Sequence, residues 1–259
     1  MYVDTHCHLH DQKFEDLNAV VEEYSKSGVS VAIDMGCCAK TSKIGKDLAE
    51  KFSSVYFASG CHPSDSNGFD DNERQEIIDL ADHPKCVAIG EIGLDYYWEP
   101  YDKEKQIQCF IDQLSIAKYK KLPVSIHSRN ATEDMLKILK VNKDKLVYGG
   151  VLHCFSGSVE TANELLKLGL YISFAGPLTF KNANRLLDVA KFVPEDRCLT
   201  ETDSPYLAPH PLRGTLNTPK NVPIITATLA SIKGKDTLEV AKIIKTNAEN
   251  LFTKLIKAK

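Results

Sequence analysis

Short apolar runs alternate with amphipathic stretches along the chain, and this alternation constrains the fold more than any other feature. Runs at 2–5, 29–34, 55–59, 87–90, 123–127, 146–153, 170–174 and 198–202 have the length and apolar content of buried strands. Between them, a 3.6-residue periodicity predicts helices at 17–26, 41–51, 73–81, 103–119, 132–139, 159–168 and 183–192, with two more at 222–232 and 237–256. Gly28 and Gly169 follow two of these helices, where a left-handed cap is expected. Strands alternating with helices form parallel βαβ units. At about 150 residues per domain, 259 residues leave one or two domains open. Eight repeats in this length fit a (β/α)8 barrel, an α/β fold, as one domain over 1–259. A doubly wound open sheet would need a glycine-rich phosphate turn, and neither GxGxxG nor a P-loop occurs.

Composition narrows the class of protein. Hydrophobic residues make up 43% and charged residues 26%, an ordinary globular mixture. The net charge of −3 excludes the overall basic character of a protein held to nucleic acid or membrane by diffuse attraction. No apolar run approaches the length of a membrane helix, and the start MYVDTHCHLHD lacks the basic-then-apolar order of a secretory signal. The eight cysteines form no CxxC pair, so they are expected as small buried side chains in a reducing cytoplasm. Lys118-Tyr119-Lys120-Lys121 and the lysines of 254–259 are expected on solvated helix faces.

The chemistry collects at the C-terminal ends of the expected strands. Asp4, His6, His8 and His10 follow strand one, His62 strand three and Glu91 strand four; His127 and His153 end strands five and six, and Glu201 and Asp203 end strand eight. In a barrel that end carries the active site. His6 and His8 are two apart, so on extended chain both imidazoles point to one side. Nitrogen and carboxylate ligands without thiolate suit Zn²⁺, Mn²⁺, Mg²⁺, Fe²⁺, Co²⁺ or Ni²⁺. Six ligands exceed what one catalytic ion with an open position needs, so two ions about 3.5–4 Å apart fit better.

Five stretches carry a family resemblance: Val3-Asp4-Thr5-His6-Cys7-His8, Gly90-Glu91-Ile92-Gly93-Leu94-Asp95-Tyr96, Pro123-Val124-Ser125-Ile126-His127-Ser128-Arg129, Leu152-His153-Cys154-Phe155-Ser156-Gly157 and Thr200-Glu201-Thr202-Asp203-Ser204-Pro205-Tyr206. Over residues 2–252 the chain resembles the TatD family of metal-dependent deoxyribonucleases. The resemblance implies a TIM-barrel metallohydrolase of the amidohydrolase superfamily that cleaves DNA, with RNA as a second candidate. It also implies 3′→5′ exonuclease action on single strands or frayed ends. Carried over by position, it puts His6, His8, Glu91 and Asp203 on one divalent ion, with Glu91 bridging to a second ion held by His127 and His153. Mg²⁺, Mn²⁺ and Zn²⁺ are the candidates. Asp203 becomes the general base beside Glu91 as catalytic residues, and Glu201 a supporting acid or a further ligand. One departure stands out: His10 occupies a position where the family usually has Asp or Asn, so hydrogen bonding near His8 is expected to differ.

A phosphodiester needs local cations, and Arg129, Lys181 and Arg213 lie in loops after strands five, seven and eight. Thr179, Lys181 and Asn182 precede a helix start, which favours anions. His62 is a further candidate substrate contact, and Tyr96, Tyr97, Trp98, Phe155 and Tyr206 are candidates to stack an unpaired base. The implied partner is nucleic acid, with no membrane and no obligate protein partner. The alternative is a metallohydrolase of a small amide, an ester or aminoacyl-tRNA, because the same centre would polarise a carbonyl. A barrel serving only as a binding scaffold would show a broken ligand set, and no expected ligand is missing.

Overall fold

The structure, a computed structural model, describes residues 1–257; the last two positions of the 254–259 lysine run lie outside the described residues. Among the described residues are eight strands: β1 (Tyr2–Cys7), β2 (Val29–Met35), β3 (Val55–Ser59), β4 (Cys86–Asp95), β5 (Val124–Arg129), β6 (Gly150–Leu152), β7 (Tyr171–Phe174) and β8 (Cys198–Thr200). They belong to one sheet in the order of the chain, and the register pairs are parallel. The helices between them are α1 (Leu17–Lys26), α2 (Ala39–Lys51), α3 (Asp71–Leu80), α4 (Lys103–Lys120), α5 (Thr132–Val141), α6 (Val159–Lys167) and α7 (Asn184–Phe192). After β8 come α8 (Val222–Lys233), α9 (Thr237–Leu251) and α10 (Lys254–Lys257). The fold is a (β/α)8 barrel. The long final helix expected at 237–256 is broken into α9 and α10.

Three helices start where an aspartate can satisfy their first amides. Asp16 accepts from Asn18 and Ala19, Asp70 from Asn72 and Glu73, and Asp102 from Lys105. Gly28 and Gly169 take φ of +82° and +79° just past α1 and α6, as their positions in the sequence predicted. On α4 the exposed Lys118 pairs with Asp144 at 2.9 Å and the part-buried Lys120 with Asp82 at 2.6 Å.

Two compact units divide the chain. One consists of Met1–Asp34, His153–Leu166 and Tyr171–Asn250. Its core is built on Tyr24, Ile33, Phe174, Val222, Ile225 and Leu229, all buried. Within it β1 and β8 are tied directly: the Thr5 hydroxyl donates to the Thr200 carbonyl, and the Asp203 amide donates to the His6 carbonyl at 2.9 Å. The other unit consists of Met35–Leu152, Lys167–Leu170 and Leu251–Lys259. Phe57, Ile77, Ile89, Ile92 and Phe110 fill its core, and each such side chain contributes about 1.5–3 kcal/mol on leaving water.

Only β3 keeps its expected bounds, and three of the departures matter most. β1 runs on to Cys7, which puts His6 inside the strand. β4 runs to Asp95 with all ten residues buried, so Glu91 and Asp95 sit within it rather than after it. β6 keeps only three residues of the expected run 146–153. There Gly149 turns the backbone to φ +80°, its amide donates to the Leu146 carbonyl, and Val147 and Tyr148 are exposed.

Gly93 decides how β4 meets β5. It sits opposite His127 in the parallel register, and at φ +142° a Cβ there would lie 2.0 Å from the His127 carbonyl oxygen. Gly93→Ala is therefore expected to destabilise the protein by about 3–5 kcal/mol, by steric overlap added to a strained dihedral. Thermal unfolding followed by circular dichroism measures the loss, and an unchanged Tm would refute the close approach.

Candidate metal centre

In the first unit, β1 delivers His6 and the residue after its end delivers His8, both buried. Their Nε2 atoms stand 3.3 Å apart with the rings nearly perpendicular. Asp203 Oδ1 approaches the same point, 3.4 Å from His8 Nε2 and 3.8 Å from His6 Nε2. Two ligands at roughly 2.0–2.1 Å from a tetrahedral ion would be about 3.3–3.4 Å apart, so this spacing is that of a coordination edge. Backbone ties hold the arrangement: His8 N–H donates to the Ser204 carbonyl at 2.7 Å, and Asp203, at a left-handed φ of 55°, donates its amide to the His6 carbonyl. Burial disfavours the Asp203 charge. The hydrogen bond to His8 and the charges of His153, His6 and His8 outweigh it, and its carboxyl lies below the usual value.

His153 stacks on His6, ring centres 3.9 Å apart and 9° from parallel. Glu201 Oε1 lies 3.3 Å from His153 Nδ1 and accepts the Cys154 amide at 2.6 Å. A carboxylate on Nδ1 fixes the imidazole's orientation and raises its basicity as a ligand. The other oxygen, Glu201 Oε2, is buried without a hydrogen-bond partner, which suits a nearby cation.

Asp4 is fully buried and accepts the Thr202 hydroxyl and amide. Burial pushes its carboxyl up to about 8, against those two bonds and the His6 amide. His10 turns its Nδ1 to both carboxylate oxygens of Asp34, 3.0 Å from each. The departure from the family pattern at position 10 thus makes a side-chain contact with Asp34 near the end of β2.

In the second unit, β4 delivers Glu91 and Asp95 and β5 delivers His127. His127 Nδ1 lies 2.8 Å from Glu91 Oε1 and Nε2 lies 2.9 Å from Asp95 Oδ2. A neutral imidazole carries one N–H, so one of these two contacts needs a further positive charge, supplied by a proton or a metal ion. His62 Nε2 lies 3.7 Å from the same Glu91 oxygen, and its Nδ1 caps Ser64. Burial raises the Asp95 carboxyl, but hydrogen bonds from His127 and Tyr97 more than reverse this, and it lies below the usual value. The donor sets His6–His8–Asp203, His6–His153–Glu201 and His62–Asp95–His127 each gather their ligand atoms within 4.8 Å, which fits divalent ions.

The expected substrate contacts scatter. Lys181 is exposed, and Arg213 lies with its guanidinium 4.1 Å from the Phe180 ring centre. The Thr179 hydroxyl is committed to the Gly176 carbonyl and the His210 amide, and α7 begins at Asn184. Phe155 is buried, so it packs rather than offering a face to a base. One residue of the site, Asp95, was assigned no role from the sequence. It stands two strand periods from Glu91, a spacing that puts both on one face of an extended strand.

Among solved structures, the TatD homologue YJJV of Escherichia coli K12 matches with a TM-score of 0.92 at 30% identity, over 97% of this chain and 98% of that one. Fold and donor sets thus define a (β/α)8 protein of the metal-dependent hydrolase class. A family model described as TatD related DNase matches residues 3–253, and the chain belongs to that family. YabD of Bacillus subtilis, named a metal-dependent hydrolase, is 40% identical over 253 residues, covering 97% of this chain and 99% of its own. A Shigella flexneri protein named 3′-5′ ssDNA/RNA exonuclease TatD is 33% identical over 92% of this chain and 93% of its own. No helix among the described residues is long and apolar enough to cross a membrane.

Proposed function

We propose that this chain is a cytoplasmic, divalent-metal-dependent nuclease that acts as one catalytic domain. It removes nucleotides 3′→5′ from single-stranded or frayed DNA, with RNA as a second substrate. The observation that carries the proposal is the convergence of His6 Nε2, His8 Nε2 and Asp203 Oδ1 on one point. The name of the Shigella flexneri relative, a 3′-5′ ssDNA/RNA exonuclease, supports the substrate class.

The ligands are those the family resemblance implies: His6, His8, Glu91, His127, His153 and Asp203. When bound, two divalent ions would supply hydroxide at neutral pH and neutralise charge on the phosphoryl oxygens. The protein's own groups do the rest. Asp203, charged at neutral pH, takes the proton of the attacking water. Glu201 orients His153 through Nδ1, and Asp95 does the same for His127 through Nε2. Arg129, Lys181 and Arg213 attract the phosphates, and His62 contacts the leaving group.

The test is turnover of 3′-labelled single-stranded DNA, blunt duplex and RNA by Mn²⁺- or Mg²⁺-loaded protein, beside panels of esters, amides and aminoacyl-tRNA. Stepwise loss of 3′ nucleotides from the single strand is expected. Turnover confined to the ester or amide panels would overturn the proposal.

A further inference from the structure

The loop after β4 and the end of β5 carry groups that the metal ligands do not use. Arg129, the last residue of β5, places its guanidinium carbon 3.6 Å from the Tyr97 ring centre and 5.3 Å from that of Trp98. The two rings stand edge to face, 4.8 Å apart at 88°. Trp98 is 62% exposed and Tyr97 48%. Arg129 has no ion pair among the described residues. The neighbouring Tyr96 differs in kind: its hydroxyl donates to Asp134 and its ring stacks on Tyr101, so it holds the loop together.

The exposed pair is anchored to the site. The Tyr97 amide donates to Asp95 Oδ1 at 2.8 Å, and the other Asp95 oxygen meets His127. Asp95 and Arg129 are register partners across β4 and β5. A cavity of about 160 Å³ beside the pair is walled by Asp95, Trp98, Ser64, Tyr101 and Gln106.

We propose that Tyr97, Trp98 and Arg129 form a subsite for an unpaired nucleobase, which stacks on Trp98 while Arg129 takes the flanking phosphate. An open aromatic face beside an uncompensated guanidinium matches the two halves of a nucleotide, one flat and apolar, the other anionic. Bases within a duplex are stacked on one another and have no face to offer. The subsite therefore selects single strands, and it needs no basic surface in a chain of net charge −3. This inference rests on the nucleic-acid proposal above and gives it a recognition element.

Trp98 is the only tryptophan, so tryptophan emission, excited apart from that of the ten tyrosines, reports on this point alone. Full-length protein in EDTA is titrated with oligo(dT) and with a blunt hairpin duplex. Saturable quenching by the single strand, with little by the duplex, is expected. By anisotropy of a labelled single strand, Trp98→Ala should weaken binding roughly 10-fold and Trp98→Phe should largely restore it. Arg129→Ala should lower the salt dependence of binding. Equal quenching by duplex overturns the assignment. Absence of quenching in protein that degrades the same oligonucleotide when Mn²⁺-loaded also overturns it, and leaves the nuclease standing. Saturable quenching without cleavage under any divalent ion sustains the subsite and overturns the nuclease.

Discussion

Asp203→Asn should lower hydrolysis at least about 1,000-fold while the protein remains folded. Asn has the shape of Asp and tolerates the left-handed backbone that Asp203 adopts at φ 55°. The amide that donates to the His6 carbonyl belongs to the main chain and is untouched. What is lost is the negative charge that meets His6 and His8 at 3.8 and 3.4 Å, together with the capacity to accept a proton. General-base removal alone costs about 100- to 10,000-fold, and the same substitution also weakens a metal ligand. The measurement is kcat on labelled single-stranded DNA at saturating Mn²⁺, with a circular dichroism melt beside it. Activity within tenfold of the unmodified protein would remove Asp203 from the role of base. Asp203→Ala is a poorer test, because Ala at positive φ adds backbone strain to the chemical loss.

Much of this arrangement was legible in the sequence because two physical periods carry it. Alternation of buried strand and amphipathic helix identified eight βα repeats, and the position of His, Glu and Asp at strand ends picked out candidate ligands. Element boundaries were less legible wherever polar residues are buried. β4 continues through Glu91 and Asp95 because His127 and backbone amides satisfy their carboxylates, which a pattern of apolar residues does not register. β6 is short for the opposite reason: Val147 and Tyr148 look like strand residues, but Gly149 turns them out to solvent.

The pairing of two of the histidines with a carboxylate was also beyond a linear reading. His153 meets Glu201 across 48 positions and His127 meets Asp95 across 32. The stack of Arg129 on Tyr97 likewise depends on the β4–β5 register, which follows from Gly93 lying opposite His127. Sequence chemistry named the residues, and the parallel register assigned their partners.

Removing divalent metal should abolish activity and measurably loosen the fold. The proposed ligands His6 and His8 are buried and electron-rich: they bring their Nε2 atoms to 3.3 Å, and the buried Glu201 Oε2 nearby has no hydrogen-bond partner. A cation at such a point relieves repulsion among donors that water does not reach, so its binding free energy appears as stability. At an ion concentration of 100 times Kd, mass action stabilises the folded state by about 2.7 kcal/mol. For a chain of this size that corresponds to roughly 5–10 °C in Tm. EDTA followed by desalting should lower hydrolysis more than 100-fold and depress Tm by this amount, and added Mn²⁺ or Mg²⁺ should restore both. Glu201→Gln should reduce the Tm gain on adding metal, since it removes the charge that orients His153. Full activity after exhaustive chelation, in protein shown by elemental analysis to hold no divalent ion, would refute the metal centre; a Tm indifferent to added metal would show that the buried donors are satisfied without it.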